Sequence, residues 1–149
     1  RVMLGEKVML RVRMSTKDVH YAGDLVNGAR MLDFFGDLAT ELAIRMDGDE
    51  ALYRTYEHID FLAPVYAGDF MEYYGWLEKV GNTSHRMCFE AYKVIELARD
   101  SALEESAANV LNPPVLVGRA EGICVTPKKA QRGAQDPAFR GIREAGGKK

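Results

Sequence analysis

Asp33, Asp37 and Glu41 recur at four-residue intervals in the stretch MLDFFGDLATE. On a helix, residues four apart stand above one another, so this spacing stacks three carboxylates in one column. Each like-charge pair at that spacing costs roughly 0.2–0.5 kcal/mol in an exposed helix. Two carboxylates one turn apart can divide the work of proton exchange, because repulsion pushes one pKa upward toward neutrality. The other reading is a solvated face in which Glu41 pairs with Arg45 in the favourable orientation; periodicity alone leaves both open. His20 and Tyr21 stand just before this stretch in DVHYAGD, where either could bond a reacting group or simply order the loop with Asp18. His58 and His85 fall on strand or hairpin positions and read as surface residues. With no pair of histidines at ligand spacing and no cysteine cluster, no metal site is expected.

The elements that must position these groups follow from periodicity. KVMLRVRM at 7–14 alternates apolar and basic residues and predicts a half-buried strand. From about Asp24 to Met46, Leu25, Ala29, Leu32, Phe35, Ala39, Leu42 and Met46 recur at helical spacing. Gly28 and Gly36 share that face at a cost of up to about 1 kcal/mol each, which predicts close packing on a sheet. DGDE at 47–50 ends the helix. Strands are predicted at 51–62, 69–80, 85–97 and 115–127, with GNTS as the hairpin turn between the second and third of these. Residues 98–114 read as a connection closed by Pro113-Pro114. The expected organisation is one α+β domain over 1–127, then a basic, partly flexible tail over 128–149, partly disordered or draped on a neighbour. One helix covers only one face of a five-stranded sheet, so the Tyr- and Trp-bearing strands are expected to meet other subunits.

Composition narrows the function classes. A formal net charge of −2 leaves no basic surplus for nucleic-acid phosphates. No apolar run approaches the roughly 18–20 residues of a membrane span. RVMLGEKVML lacks the pattern of a signal peptide, and Cys88 and Cys124 sit in apolar, strand-like segments as packed free thiols. The expectation is a cytoplasmic protein.

Several blocks carry a resemblance: KDVHYAGDLVNGARML at 17–32, FGDLATEL at 35–42, DGDEALY at 47–53, FLAPVYAGDF at 61–70, VGNTS at 80–84 and PKKAQRG at 127–133. In this order they resemble the hotdog-fold CoA-thioester ammonia lyases of amino-acid fermentation, which act on 3-aminobutyryl-CoA or β-alanyl-CoA. The early blocks and SAANVL at 106–111 lean to the first substrate. DFMEYYGWLEKVGN at 69–82 and QRGAQDPAF at 131–139 lean to the second. The resemblance implies a long central helix wrapped by a five-stranded antiparallel sheet in a homodimer or larger assembly. It also implies an acyl-CoA thioester and ammonia as reactants, with no cofactor beyond the CoA carried by the substrate. A hotdog thioesterase and a non-catalytic acyl-CoA-binding module are the competing readings.

Ammonia loss from a β-aminoacyl thioester needs a base at the α-carbon, donors for the charge that grows on the carbonyl oxygen, and a carboxylate beside the amine. The resemblance therefore assigns Glu41 as base and Asp37 as the amine's partner, or the reverse, with His20 as a catalytic polar group in the loop. Tyr21 and the helix opening at Asn27, Gly28 and Ala29 are the substrate and oxyanion candidates, since the first turn of a helix leaves N–H groups free. For the CoA phosphates the candidates are Asn82, Thr83 and Ser84 in the turn, with Lys128, Lys129 and Arg132 beyond it.

Overall fold

A computed structural model describes residues 2–147; Arg1 and the last two residues of the predicted tail, Lys148 and Lys149, lie outside the described residues. Five long strands form one antiparallel sheet: β1 (Leu4–Arg13), β4 (Leu52–Phe61), β5 (Phe70–Val80), β6 (Ser84–Leu97) and β7 (Ala108–Val125). Their order is β1-β5-β6-β7-β4. A short ribbon of β2 (Val19–Tyr21) and β3 (Leu25–Val26) precedes the helix α1 (Ala29–Asp47), and a short helix α2 (Ile142–Gly147) closes the chain. No helix among the described residues is long and apolar enough to cross a membrane.

The core is the seam between α1 and the sheet. Phe35, Leu38 and Leu42 are fully buried from the helix, and Met71, Leu77, Met87 and Ala91 from the strands. Phe34 stacks on Tyr73 at 4.6 Å, and Phe35 on Phe89 at 5.0 Å. The glycine that permits this approach lies on the sheet: a Cβ at Gly75 would meet Leu38 Cβ at 3.2 Å. Gly36, expected to make that approach, faces open space.

Other expectations change as well. The helix begins at Ala29 rather than near Asp24, because Gly23 and Asp24 take positive φ (71° and 63°) and fold the chain back into the ribbon. Pro113 and Pro114 lie inside β7 instead of ending a connection. There the register jumps from Lys93↔Val115 to Ile95↔Val110, and the bulge excuses both prolines from donating to the ladder. The tail is docked on its own chain: Phe139 is buried against Gly5, and Arg143 is buried beside α1. The sheet face away from α1 carries charged side chains around Tyr74, Trp76 and Tyr92. Arg86 pairs with Glu57 and lies 3.9 Å from both Glu78 and Glu121, while Lys7 roofs Trp76 at 5.2 Å.

Candidate active site

A cavity of about 410 Å³ opens at the start of α1. Met31, Met71, Tyr73 and Val117 line it from the core side, the 61–65 segment walls it, and Tyr21, Asn27 and Gly28 supply polar groups. Local sequence builds this mouth. Residues alternate along a strand, so Tyr21 borders the cavity while His20 borders a separate polar depression with Ala29, Arg30 and Asp33. The Val26 N–H donates to Val65 O at 2.8 Å, coupling the ribbon to the wall. The wall is pinned from below by Asp69, which is fully buried. Asp69 Oδ2 accepts from the Tyr66 N–H at 2.8 Å and lies 3.1 Å from the buried Lys93 ammonium.

The helix opening is partly capped. The Ala29 N–H donates to Asn27 Oδ1 at 3.1 Å, and the Asn27 N–H to Asp18 O at 3.1 Å. Neither is therefore free for a ligand, which removes two of the three predicted donors. Among the described residues nothing accepts from the Gly28 N–H, and a Cβ there would meet the Phe61 ring at 2.9 Å. Asp18 also holds Arg30 at 2.8 Å. Burial opposes the charge on Asp18, but the Ser15 N–H and the Arg30 guanidinium outweigh it and hold the carboxyl below its usual range.

Of the acidic column, Asp33 and Asp37 line a second cleft of about 290 Å³ with Thr40, Glu50 and Tyr53. Glu41 does not border this cleft. Its carboxylate is held by Arg45 at 2.9 Å, and Arg45 also grips Asp136 at 2.5 Å. Asp33 pairs with Arg30 at 3.2 Å, whereas among the described residues no cation pairs Asp37. Asp37 stands nine positions beyond Gly28, about 13 Å along the helix axis. A short acyl group cannot touch both within one chain.

The phosphate candidates gather at the far end of α1. Asn82, Thr83 and Ser84 form the β5–β6 turn, and the Gln131 amide donates to Asn82 O at 3.0 Å and to Thr126 O at 2.9 Å. Lys128 and Lys129 are exposed on a 3-10 turn beside it. Arg132 instead donates to Gly48 O at 3.1 Å, capping α1 rather than facing the turn.

Sequence reasoning missed Arg143, Asp47 and Gln131 around this turn, and misread His85. His85 is 1% exposed, and its Nδ1 accepts from Arg143 Nη2 at 3.1 Å. Burial, then the Arg143 charge, pushes its pKa down to about 4. The strand alternation of His85, Met87, Phe89 and Ala91, all inward, carried the signal. His58 is exposed and pairs with Asp60, as expected of a surface residue. Cys88 and Cys124 are buried and form no disulfide among the described residues. Donor atoms of Glu78, Cys88 and Glu121 lie within 4.8 Å of one another. Arg86 already supplies a cation among these carboxylates.

Residues 23–96 match the Thioesterase superfamily. The chain is 52% identical over 126 residues to a 3-aminobutyryl-CoA ammonia lyase of Acetoanaerobium sticklandii, covering 85% of this chain and 98% of that protein. It superposes on the β-alanyl-CoA:ammonia lyase of Clostridium propionicum with a TM-score of 0.90 at 47% identity, over 94% of this chain and 98% of the other. A hexameric hotdog-fold thioesterase of Campylobacter jejuni shares the fold alone, with a TM-score of 0.65 at 18% identity over 83% of this chain and 85% of that one.

Proposed function

The chain belongs to the hotdog-fold CoA-thioester ammonia lyases, and from that premise we propose that it reversibly eliminates ammonia from a short β-aminoacyl-CoA. It is a carbon–nitrogen lyase by kinship. The candidate substrates are 3-aminobutyryl-CoA, giving crotonyl-CoA, and β-alanyl-CoA, giving acryloyl-CoA. The observation that carries the reading is the apolar cavity with the Gly28 amide, unpartnered among the described residues, at its mouth. A thioester carbonyl placed there meets a donor at the positive end of a helix, where the charge of an enolate would collect. The apolar walls suit a two- to four-carbon acyl chain.

Asp37 is the better candidate for proton exchange, and Glu41 the lesser, because Arg45 already neutralises Glu41. Asp37 would take the α-proton and return one to the departing amine, with the carboxylate also holding the substrate ammonium. Since Gly28 and Asp37 are about 13 Å apart on one helix, the proposal places them in one site by pairing two copies. The assembly is thus a homodimer or a multiple of one, in keeping with the hexameric fold relative. Tyr21 borders the thioester position, while His20 lies in the neighbouring depression and serves as a secondary candidate. The turn at 82–84 with Lys128 and Lys129 is the candidate phosphate site. No cofactor is required, because acid–base exchange and hydrogen bonds supply the whole reaction. The proposed setting is cytoplasmic.

Loss of enoyl-thioester absorbance on adding ammonia to crotonyl-CoA and to acryloyl-CoA tests this directly. Ammonia-dependent loss with either ester is the expected result. Release of free thiol from simple acyl-CoAs without any ammonia dependence would overturn it in favour of a thioesterase. One methyl in an apolar pocket is worth about 1–3 kcal/mol, so the ratio of the two rates identifies the preferred acyl group.

A further inference from the structure

All four carbonyls of the turn Gly81–Ser84 are tied to donors of this chain. Gly81 O accepts from Arg143 Nη1 at 2.9 Å, and Asn82 O from the Gln131 amide at 3.0 Å. Thr83 O accepts from the Thr126 N–H at 2.9 Å, and Ser84 O from the Gly81 N–H at 2.8 Å. Arg143 Nη1 also reaches Ser84 O at 3.4 Å. With the acceptors so engaged, the consecutive N–H groups of Asn82 and Thr83 remain; among the described residues nothing accepts from either. Successive free amides in a turn form a concave receptor for an anion.

One guanidinium thus sets two of the four carbonyls, and that guanidinium is itself fixed. Its Nη2 donates to Asp47 Oδ2 at 2.6 Å and its Nε to Asp47 Oδ1 at 3.2 Å. Arg143 is 7% exposed and Asp47 1%. A buried pair of this kind adds little net stability over well-packed apolar residues, so its energetic return does not explain it. Its geometry does, because it joins the end of α1, the β5–β6 turn and α2 at one point. We infer that Arg143 is a positioning residue for the CoA nucleotide: it aims the Asn82 and Thr83 amides at a phosphate without touching substrate. The inference rests on the phosphate site proposed above for this turn.

Crotonyl-CoA and crotonyl-pantetheine, which lacks the nucleotide, separate the possibilities in ammonia-addition kinetics. Wild-type protein is expected to show a lower KM for the CoA ester. Equal KM values would end the phosphate reading of the turn, and this inference with it. Arg143→Lys keeps a cation for Asp47 but cannot fork to both carbonyls. Its KM for crotonyl-CoA should rise about tenfold, the worth of roughly one hydrogen bond to a charged group. Its KM for crotonyl-pantetheine and both kcat values should stay within about twofold. An undiminished preference for the CoA ester in Arg143→Lys would overturn the role of Arg143 and leave the turn reading intact. Equal losses on both esters would overturn it too, as damage to the fold. Gln131→Ala releases the same turn from the part-exposed side and provides the test should Arg143→Lys not fold. It should raise only the CoA-ester KM, and no rise would count against the inference.

Discussion

At the residue scale, the decisive contrast is between two carboxylates one turn apart with different neighbours. Glu41 is already spoken for by Arg45, while Asp37 borders a cleft with no cation on it among the described residues. Asp37→Asn is therefore expected to lower kcat for ammonia addition by about 10²–10⁴, the usual worth of a positioned acid or base. Glu41→Gln should leave most of it, and the reverse ranking in steady-state assays would restore Glu41 as the base. Gly28 invites a test of its own donor. Its φ of −56° suits proline, so Gly28→Pro deletes the N–H without backbone strain, while the Phe61 ring must swing aside to admit the added carbons. The expected loss in kcat is about 10²-fold. The chemical residue types were legible in the sequence, since the acidic column and the Tyr21–Gly28 approach are contiguous motifs. The Glu41–Arg45 pair was legible as well, being the favourable i,i+4 alternative; what fixes Arg45 from the other side was not. The second grip on Arg45 comes from Asp136, 91 positions away, and no local pattern announces it.

At the scale of elements, the strands and the long helix were readable because their periods persist over ten or more residues. Their ends were less so. Leu25 fits the helical stripe by coincidence, while the positive φ of Gly23 and Asp24 ends that pattern before α1 begins. Pro113 and Pro114 looked like a stop because the bulge that shelters them depends on pairing with β6. The junction of α1, β6 and α2 predicts a pH effect. His85 holds its proton only below about pH 4 when folded, against an ordinary value of 6.5. Between those values the unfolded chain binds the extra proton, so stability is fully present above the window and falls as pH drops through it. The loss reaches roughly 3 kcal/mol. Denaturant unfolding of His85→Gln should show a shallower slope over that window than wild type. At the other side of the same junction, Gly48 ends α1 with φ 69° and would place a Cβ 2.9 Å from the Gln135 amide. Gly48→Ala should cost about 1–2 kcal/mol in the same assay.

At the scale of the whole molecule, a composition of ordinary charge and hydropathy hid how the tail and outer sheet face are used. The tail reads as polar and loose, yet Phe139 and Arg143 anchor it, two residues too few to register in its composition. Tyrosine and tryptophan on the strands suggested contact with other subunits; within the chain, Lys7 from the neighbouring β1 covers both Tyr74 and Trp76. If each site combines Gly28 of one copy with Asp37 of another, two inactive variants should rescue each other. Mixing unfolded Gly28→Pro and Asp37→Asn chains and refolding them together should return about a quarter of wild-type activity, since half the dimers are mixed and each has one intact site. No recovery would place both groups in the same chain's site or in different roles. The roof that Lys7 forms over Trp76 has a practical corollary. This is the sole indole of the chain and it is 5% exposed. Its fluorescence should emit at short wavelength while the strands hold together and shift red as they part, giving every one of these variants an intrinsic optical gauge of integrity that borders neither cavity.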